Sequence, residues 1–402
     1  MPYYQGAKKR TSYHGGGNKR RYNSSNRTRG NRGRGQYIDP AKFVRVAKPQ
    51  QAETYIPKHK FADFSVIQLI KDNLAQKGFV DPSPIQDQVI PLVIEGKDVI
   101  GIANTGTGKT AAFAIPLIDE LLKNRSAKVL ILAPTRELAQ QIKVEFNQIT
   151  KGAFIRSAVL IGGSSFVPQL RDLKARPQLV IGTPGRVKDH LEKGTLKLQD
   201  FNKIVLDEVD RMLDMGFIDD MRTILRSVNE NRQSLFFSAT MDYKVQELIK
   251  TFSHDPIMVS VKTGDTSDNV HQNVIHYSHP NEKPDKLHDA LIDDEVKKVI
   301  VFEETQRDVE KLAKELTSRG FATDAIHGGK NQSQRQRALR RFKENDVDIL
   351  VATDVAARGI DVKDVTHVIN YTIPQTYEDY THRIGRAGRA GKTGHALTFV
   401  QK

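Results

Sequence analysis

Two tandem α/β domains, each a doubly wound parallel sheet, are predicted by three features of this 402-residue chain. Short apolar runs recur along it, each followed by a stretch with helical periodicity. Glycine turns and paired polar groups close several of these runs, at the strand ends where open α/β sheets bind ligands. A single polar stretch, 262–269, interrupts the pattern. Strands that read apolar throughout are buried on both faces, which calls for a parallel sheet with helices on either side.

The elements follow in chain order. Residues 1–60 form a basic tail with 15 Lys or Arg against two acids, Asp39 and Glu53. The rest holds 47 basic and 46 acidic residues, so all but one of the +14 net charge belongs to the tail. Residues 1–36 are rich in Gly, Asn, Ser and Arg, without apolar periodicity. They cannot bury enough surface to offset ordering entropy and are expected to be disordered. Tyr3, Tyr4, Tyr13, Tyr22 and Tyr37 among these arginines suit phosphate attraction plus stacking on unpaired bases. A merely solubilising tail is the alternative.

The first domain is expected over 61–262, with strands at 97–103, 128–134, 157–163, 179–184, 203–208 and 234–239. The second is expected over 270–402, with strands at 273–278, 297–304, 347–354 and 367–372. The polar stretch between them reads as a hinge. No apolar run reaches the roughly 20 residues that cross a bilayer. Neither a secretory signal nor any cysteine is present. A soluble, cytoplasmic protein is expected, with no membrane partner.

Gly106-Thr107-Gly108-Lys109-Thr110 follows the first strand, ending at Ala103, and opens a helix. Glycines let backbone N–H groups turn toward phosphate oxygens, and the helix N-terminus favours an anion. Lys109 supplies charge for the β and γ phosphates, and Thr110 a hydroxyl for Mg²⁺. Asp207 and Glu208 close another strand. An aspartate there can hold Mg²⁺, and its neighbour can orient and deprotonate an attacking water.

Together with these, Pro134-Thr135-Arg136-Glu137-Leu138-Ala139, Gly162-Gly163, Thr183-Pro184-Gly185-Arg186, Ser238-Ala239-Thr240, Gln332-Ser333-Gln334-Arg335, Ala352 through Asp361, and His382 through Arg389 stand in a fixed order. Over 61–402 the chain resembles the DEAD-box RNA helicase family. The resemblance implies two RecA-like domains, an RNA-dependent ATPase with ATP and Mg²⁺ as cofactors, and a core that works as a monomer. Ala103 through Thr110, including Thr105, resembles the family's phosphate loop. The stretch Gly78-Phe79 followed by Pro82 through Gln86 is similar to its adenine motif, with Phe61 17 residues before Gly78. A glutamine amide can pair with adenine N6 and N7, whereas guanine offers two acceptors there. Phe61 would stack on the base.

In the family, arginines at the positions of Arg386 and Arg389 act as fingers on the γ-phosphate, a task suited to planar guanidinium forks. The resemblance places Asp361 against the ribose and couples His382 to the Ser238–Thr240 motif. It implies RNA contacts by Arg136, Gly162, Gly163, Thr183, Arg186, Arg335 and Thr353. These are backbone and phosphate contacts, largely independent of sequence. Two departures stand out. The name-giving tetrad reads Asp207-Glu208-Val209-Asp210, with valine where the family has alanine, and Glu303-Glu304 occupies a motif that usually approaches RNA. Added methyls at Val209 touch packing and could alter coupling. A catalytically weak, ATP-gated RNA clamp is the competing expectation.

Overall fold

The computed structural model describes residues 38–47, 55–104, 106–261, 266–357, 362, 364–388 and 392–402. The first domain's strands are β1 (Val99–Ala103), β2 (Val129–Leu132), β3 (Ser157–Leu160), β4 (Leu179–Gly182), β5 (Lys203–Leu206), β6 (Gln233–Ser238) and β7 (Ile257–Val261). They pair in the order β3-β4-β2-β5-β6-β1-β7, all parallel. The second domain holds β8 (Val270–Tyr277), β9 (Val299–Phe302), β10 (Thr323–Ile326), β11 (Ile349–Ala352), β12 (His367–Asn370) and β13 (Gly394–Gln401). Their order is β10-β11-β9-β12-β13-β8, again all parallel.

Side-chain alternation explains the apolar runs. Val99 and Ala103 of β1 enter one core and Ile100 and Ile102 the other. Val129 and Ile131 of β2 face the first core, Leu130 and Leu132 the second. The same division separates Val299 and Val301 from Ile300 and Phe302 in β9. Successive residues of a strand point to opposite faces, so a sheet buried on both sides needs apolar residues at every position.

Local signals fix where helices begin beyond the strands. Thr135 Oγ1 accepts from the Leu138 N–H at the start of Arg136–Ile149. Asn331 and Gln334 form a reciprocal capping box at the start of Gln332–Lys343. The first-domain phosphate loop lies at the carboxyl end of β1, and Asp207 at that of β5.

Residues 38–47 depart from the expectation of a loose tail through residue 60. A short 3₁₀ turn, Pro40–Phe43, buries Phe43 against Tyr380, and Arg45 bridges Gln272 of β8. Ile38 and Phe43 enter a small core, whereas residues 1–36 hold no Ile, Leu, Val or Phe. Residues 1–37, with the five tail tyrosines, lie outside the described residues, as do 262–265 of the expected hinge. No helix among the described residues is long and apolar enough to cross a membrane.

Candidate active site and nucleic-acid groove

The glycine loop after β1 is held by hydrogen bonds within the protein. Gly108 takes φ 91°, a left-handed conformation open to glycine, and a β-carbon there would collide with the Gln86 amide. Gln86 Nε2 donates to the Gly108 carbonyl (3.1 Å), while its Oε1 accepts from the Ser83 N–H (2.9 Å). Ser83 Oγ donates to the Thr107 carbonyl, and Thr107 Oγ1 to that of Asn104. Lys109, buried at the start of Lys109–Lys123, donates to the Ala103 carbonyl at 2.7 Å. Gly106 also has positive φ, and Thr110 follows Lys109 in the helix.

Beyond β5, two adjacent buried carboxylates end on opposite sides of the usual range because their charged neighbours differ. Burial pushes Asp207 up to about 7, with Glu208 and Asp210 adding to the rise against Lys109. Asp207 Oδ1 is buried without a hydrogen-bond partner. Burial also opposes ionisation of Glu208, yet Arg211, Lys109 and Arg386 together hold it below the usual carboxylate range. Arg211 Nη1 meets Glu208 Oε2 at 2.6 Å, and both side chains are buried.

Asp210 is a hub that sequence reasoning left unassigned. Its Oδ2 accepts from the N–H groups of Ala239 and Thr240, both at 2.9 Å, and from Thr240 Oγ1. Ser238 Oγ accepts from the Asp210 N–H (3.4 Å). The strap between β5 and the end of β6 therefore runs through Asp210, a pairing across about 30 positions that only the fold discloses. Val209 is fully buried in the core with Met212 and Phe236.

The second domain completes this cleft. A cavity of ≈ 180 Å³ is lined by Asn104, Lys109, Glu208 and Thr240 from one side and by His382 and Arg386 from the other. Arg386 is 5% exposed, and its Nε donates to the His382 carbonyl. Thr105, Asp361 and Arg389 lie outside the described residues. Phe61, expected to stack on the base, packs against its own domain. It is 3% exposed, with Phe64 and Phe79 against its ring, because the Phe61 N–H bonds to Val80 and draws the segment onto the domain.

A second, more open cavity of ≈ 410 Å³ is lined by residues including Arg136, Gly162, Thr183 and Arg186 of the first domain and Gly328 and Arg335 of the second. Burial, with Arg335 and Arg186 nearby, lowers the pKa of Arg136 against the pull of Glu137. The Arg136 guanidinium lies over Gly163, whose φ is +69°, in space that a β-carbon would need. Arg186 bonds to the Ser164 carbonyl and Asp189. Arg335, expected among the phosphate contacts, pairs with Glu137 at 2.8 Å, both buried, joining the two domains. Its Nε is unpartnered. Thr353 is buried at the end of β11 and is not among the residues lining the cavity.

Family models for a DEAD/DEAH box helicase and for a helicase conserved C-terminal domain match residues 83–248 and 282–391. The ATP-dependent RNA helicase CshA of Listeria monocytogenes is 46% identical over 85% of this chain and 66% of its own length. The DEAD-box ATP-dependent RNA helicase CshA of Geobacillus kaustophilus is 45% identical over 85% of this chain and 73% of its own. The structure of Mss116p bound to ssRNA and AMP-PNP matches with TM-score 0.76 at 31% identity, covering 86% of this chain and 77% of that one. The two parallel-sheet domains are thus RecA-like. Lys109, Asp207 and Glu208 fall within the first matched range, and His382 and Arg386 within the second. The chain belongs to the DEAD-box family of ATP-dependent RNA helicases, which hydrolyse ATP.

Proposed function

We propose that ATP binding between the two domains clamps them on RNA, that closure bends one strand and parts short duplexes locally, and that hydrolysis to ADP and phosphate releases it. One observation carries this reading: Lys109 and Glu208 of one domain and Arg386 of the other line a single cavity. In this scheme Lys109 exchanges the Ala103 carbonyl for phosphate oxygens. Glu208 takes a proton from the attacking water, and Arg386 meets the charge gathering on the transferred phosphoryl group. His382 and the Ser238–Thr240 strap, tied through Asp210, couple the cleft to RNA. Arg389, Thr105 and Asp361 keep the roles their motif implies.

Asp207 and Thr110 fit a Mg²⁺ site, since a buried carboxylate oxygen without a partner suits an ion or its waters. When bound, the ion would neutralise phosphate charge. Adenine selectivity fits the Gln86 inventory: after bonding Ser83 and Gly108, its amide keeps one N–H and one lone pair. That is the complement of adenine N7 and N6. Phe61 would supply the aromatic wall.

The arginine cluster at Arg136, Arg186 and Arg335 suits a phosphate backbone, with Gly162 and Gly163 allowing close approach and Thr183 and Thr353 offering hydroxyls. RNA is favoured over DNA through 2′-hydroxyl contacts. The basic tail would add a sequence-independent contact. A monomeric core in the cytoplasm completes the reading.

The weak-clamp alternative draws on the Arg211–Glu208 ion pair, which occupies the proposed base. RNA-stimulated phosphate release by wild type and a Glu208→Gln variant decides between them. A large loss in the variant supports the enzyme; equal rates favour the clamp.

A further inference from the structure

The chain ahead of the first domain touches both halves of the nucleotide cleft from outside, through residues that lie before the range of either matched family model. On the second domain, Phe43 is fully buried and packs against Tyr380 with ring centroids 4.7 Å apart. It shares a small core with Val270, Ile384 and Ala396. Arg45 exchanges both backbone hydrogen bonds with Gln272 of β8, at 2.9 and 2.7 Å. Its guanidinium pairs with Asp268 (2.7 Å), and the Ala47 N–H donates to His271 Nδ1. Gln272 Oε1 in turn accepts from the Tyr380 hydroxyl.

Tyr380 and Ile384 belong to the helix Tyr377–Ile384, which carries His382 and ends two residues before Arg386. The arm therefore supports the back of the helix that presents the arginine to the cleft. The described chain resumes at Tyr55, on the first domain. There Asp87, buried beside Gln86, accepts from the Tyr55 hydroxyl (2.5 Å), the Lys58 and His59 N–H groups, and the His59 ring. This one carboxylate gathers the stretch that leads into Phe61.

We propose that residues 38–47 and 55–61 brace the nucleotide cleft, with Phe43 a positioning residue for Arg386 and Asp87 a positioning residue for the adenine-side segment. This rests on the reading of Arg386 as the trans-acting arginine and of Gln86 and Phe61 as the adenine site. A buried aromatic ring fixes a helix in a close-packed core, and the reactive geometry at its end tolerates little displacement. The two anchors act on different parameters. Loss of Phe43 slackens a group that acts in the transition state and lowers kcat. Loss of the Asp87 charge loosens base binding and raises KM.

The test measures RNA-stimulated ATP and GTP hydrolysis by the full chain and its variants. Phe43→Ala is expected to lower kcat about tenfold or more, up to the roughly 10²-fold that a 1 Å misplacement causes, with KM for ATP nearly unchanged. Phe43→Leu restores most of it. Asp87→Asn raises KM for ATP several-fold and narrows the preference for ATP over GTP, with kcat largely kept. Amide exchange in Tyr377–Ile384 should quicken in Phe43→Ala and recover in Phe43→Leu. Wild-type kcat in Phe43→Ala, or a loss that Phe43→Leu does not relieve, overturns the brace on the second domain. Unchanged KM and nucleotide preference in Asp87→Asn overturns it on the first. Arg386→Ala separates the two levels. If it is slow while Phe43→Ala is fast, the brace alone fails; if Arg386→Ala keeps full turnover, the arginine reading fails with it.

Discussion

The cleft proposed for nucleotide and the groove proposed for RNA are both lined with charge from two domains, yet they are balanced in different ways. In the cleft Lys109 is held by the Ala103 carbonyl, Glu208 by the Arg211 guanidinium and Asp210 by the Thr240 N–H, while Asp207 Oδ1 is buried without a partner. In the groove Arg136, Arg186 and Arg335 crowd together, with Glu137 and Asp189 as the paired acids. The cleft can stand preformed and must exchange partners when nucleotide enters. The groove holds three arginines against two paired acids, Glu137 and Asp189, an excess of positive charge that a phosphate backbone would relieve.

The contrast breaks first in the cleft. Arg386→Ala should lower RNA-stimulated phosphate release by about 10³–10⁵-fold, as removal of an arginine finger does. Glu208→Gln should lower it by about 10²–10⁴-fold, the range of a general base. Steady-state ATPase assays at saturating RNA measure both.

In the groove, Arg335→Ala leaves Glu137 buried without its counter-charge. Removing one partner of a buried ion pair costs about 3–5 kcal/mol, so RNA affinity should fall about 10²-fold or more. Fluorescence anisotropy with a labelled oligonucleotide measures it. An affinity near wild type would mean that the pair does not hold the domains in their RNA-bound relation.

Away from both sites, burial and then the neighbouring His395 hold His367 down to about 4. The unfolded imidazole titrates near 6.5. The fold thus binds fewer protons between these values, and the His367 contribution to stability is lost as pH falls from about 6.5 toward 4. Asp207, raised to about 7, acts in the opposite sense. Comparing Tm against pH for wild type and His367→Gln isolates the histidine: the variant should show the shallower acid decline. The smallest effect is expected from deleting residues 1–36, which should flatten the salt dependence of RNA binding while leaving basal ATPase largely intact.

How much of this was legible in sequence depends on how far apart the partners lie. Strands buried on both faces, such as β1 and β2, announced themselves as apolar runs. Three strands did not. Edge strands β7 and β10 are partly exposed, and β13 mixes buried with half-buried positions, so none reads as a continuous apolar run. Lys109, Asp207 and Glu208 were readable because loop and strand-end chemistry is local. Asp210 on Thr240 and Asp87 on Tyr55 were not, since these partners lie 30 and 32 positions apart and nothing local marks them. Glu303 was left unassigned for its sign. It turns inward to bond the Thr372 hydroxyl and joins β9 to the chain after β12.

The most direct test of a triphosphate gripped from both domains is a double-mutant cycle on RNA-stimulated phosphate release with Glu208→Gln and Arg386→Ala. Groups acting on one transition state are strongly non-additive, so the double variant should be about as slow as the slower single one. Losses that multiply in full would show two independent contributions and contradict the shared cleft.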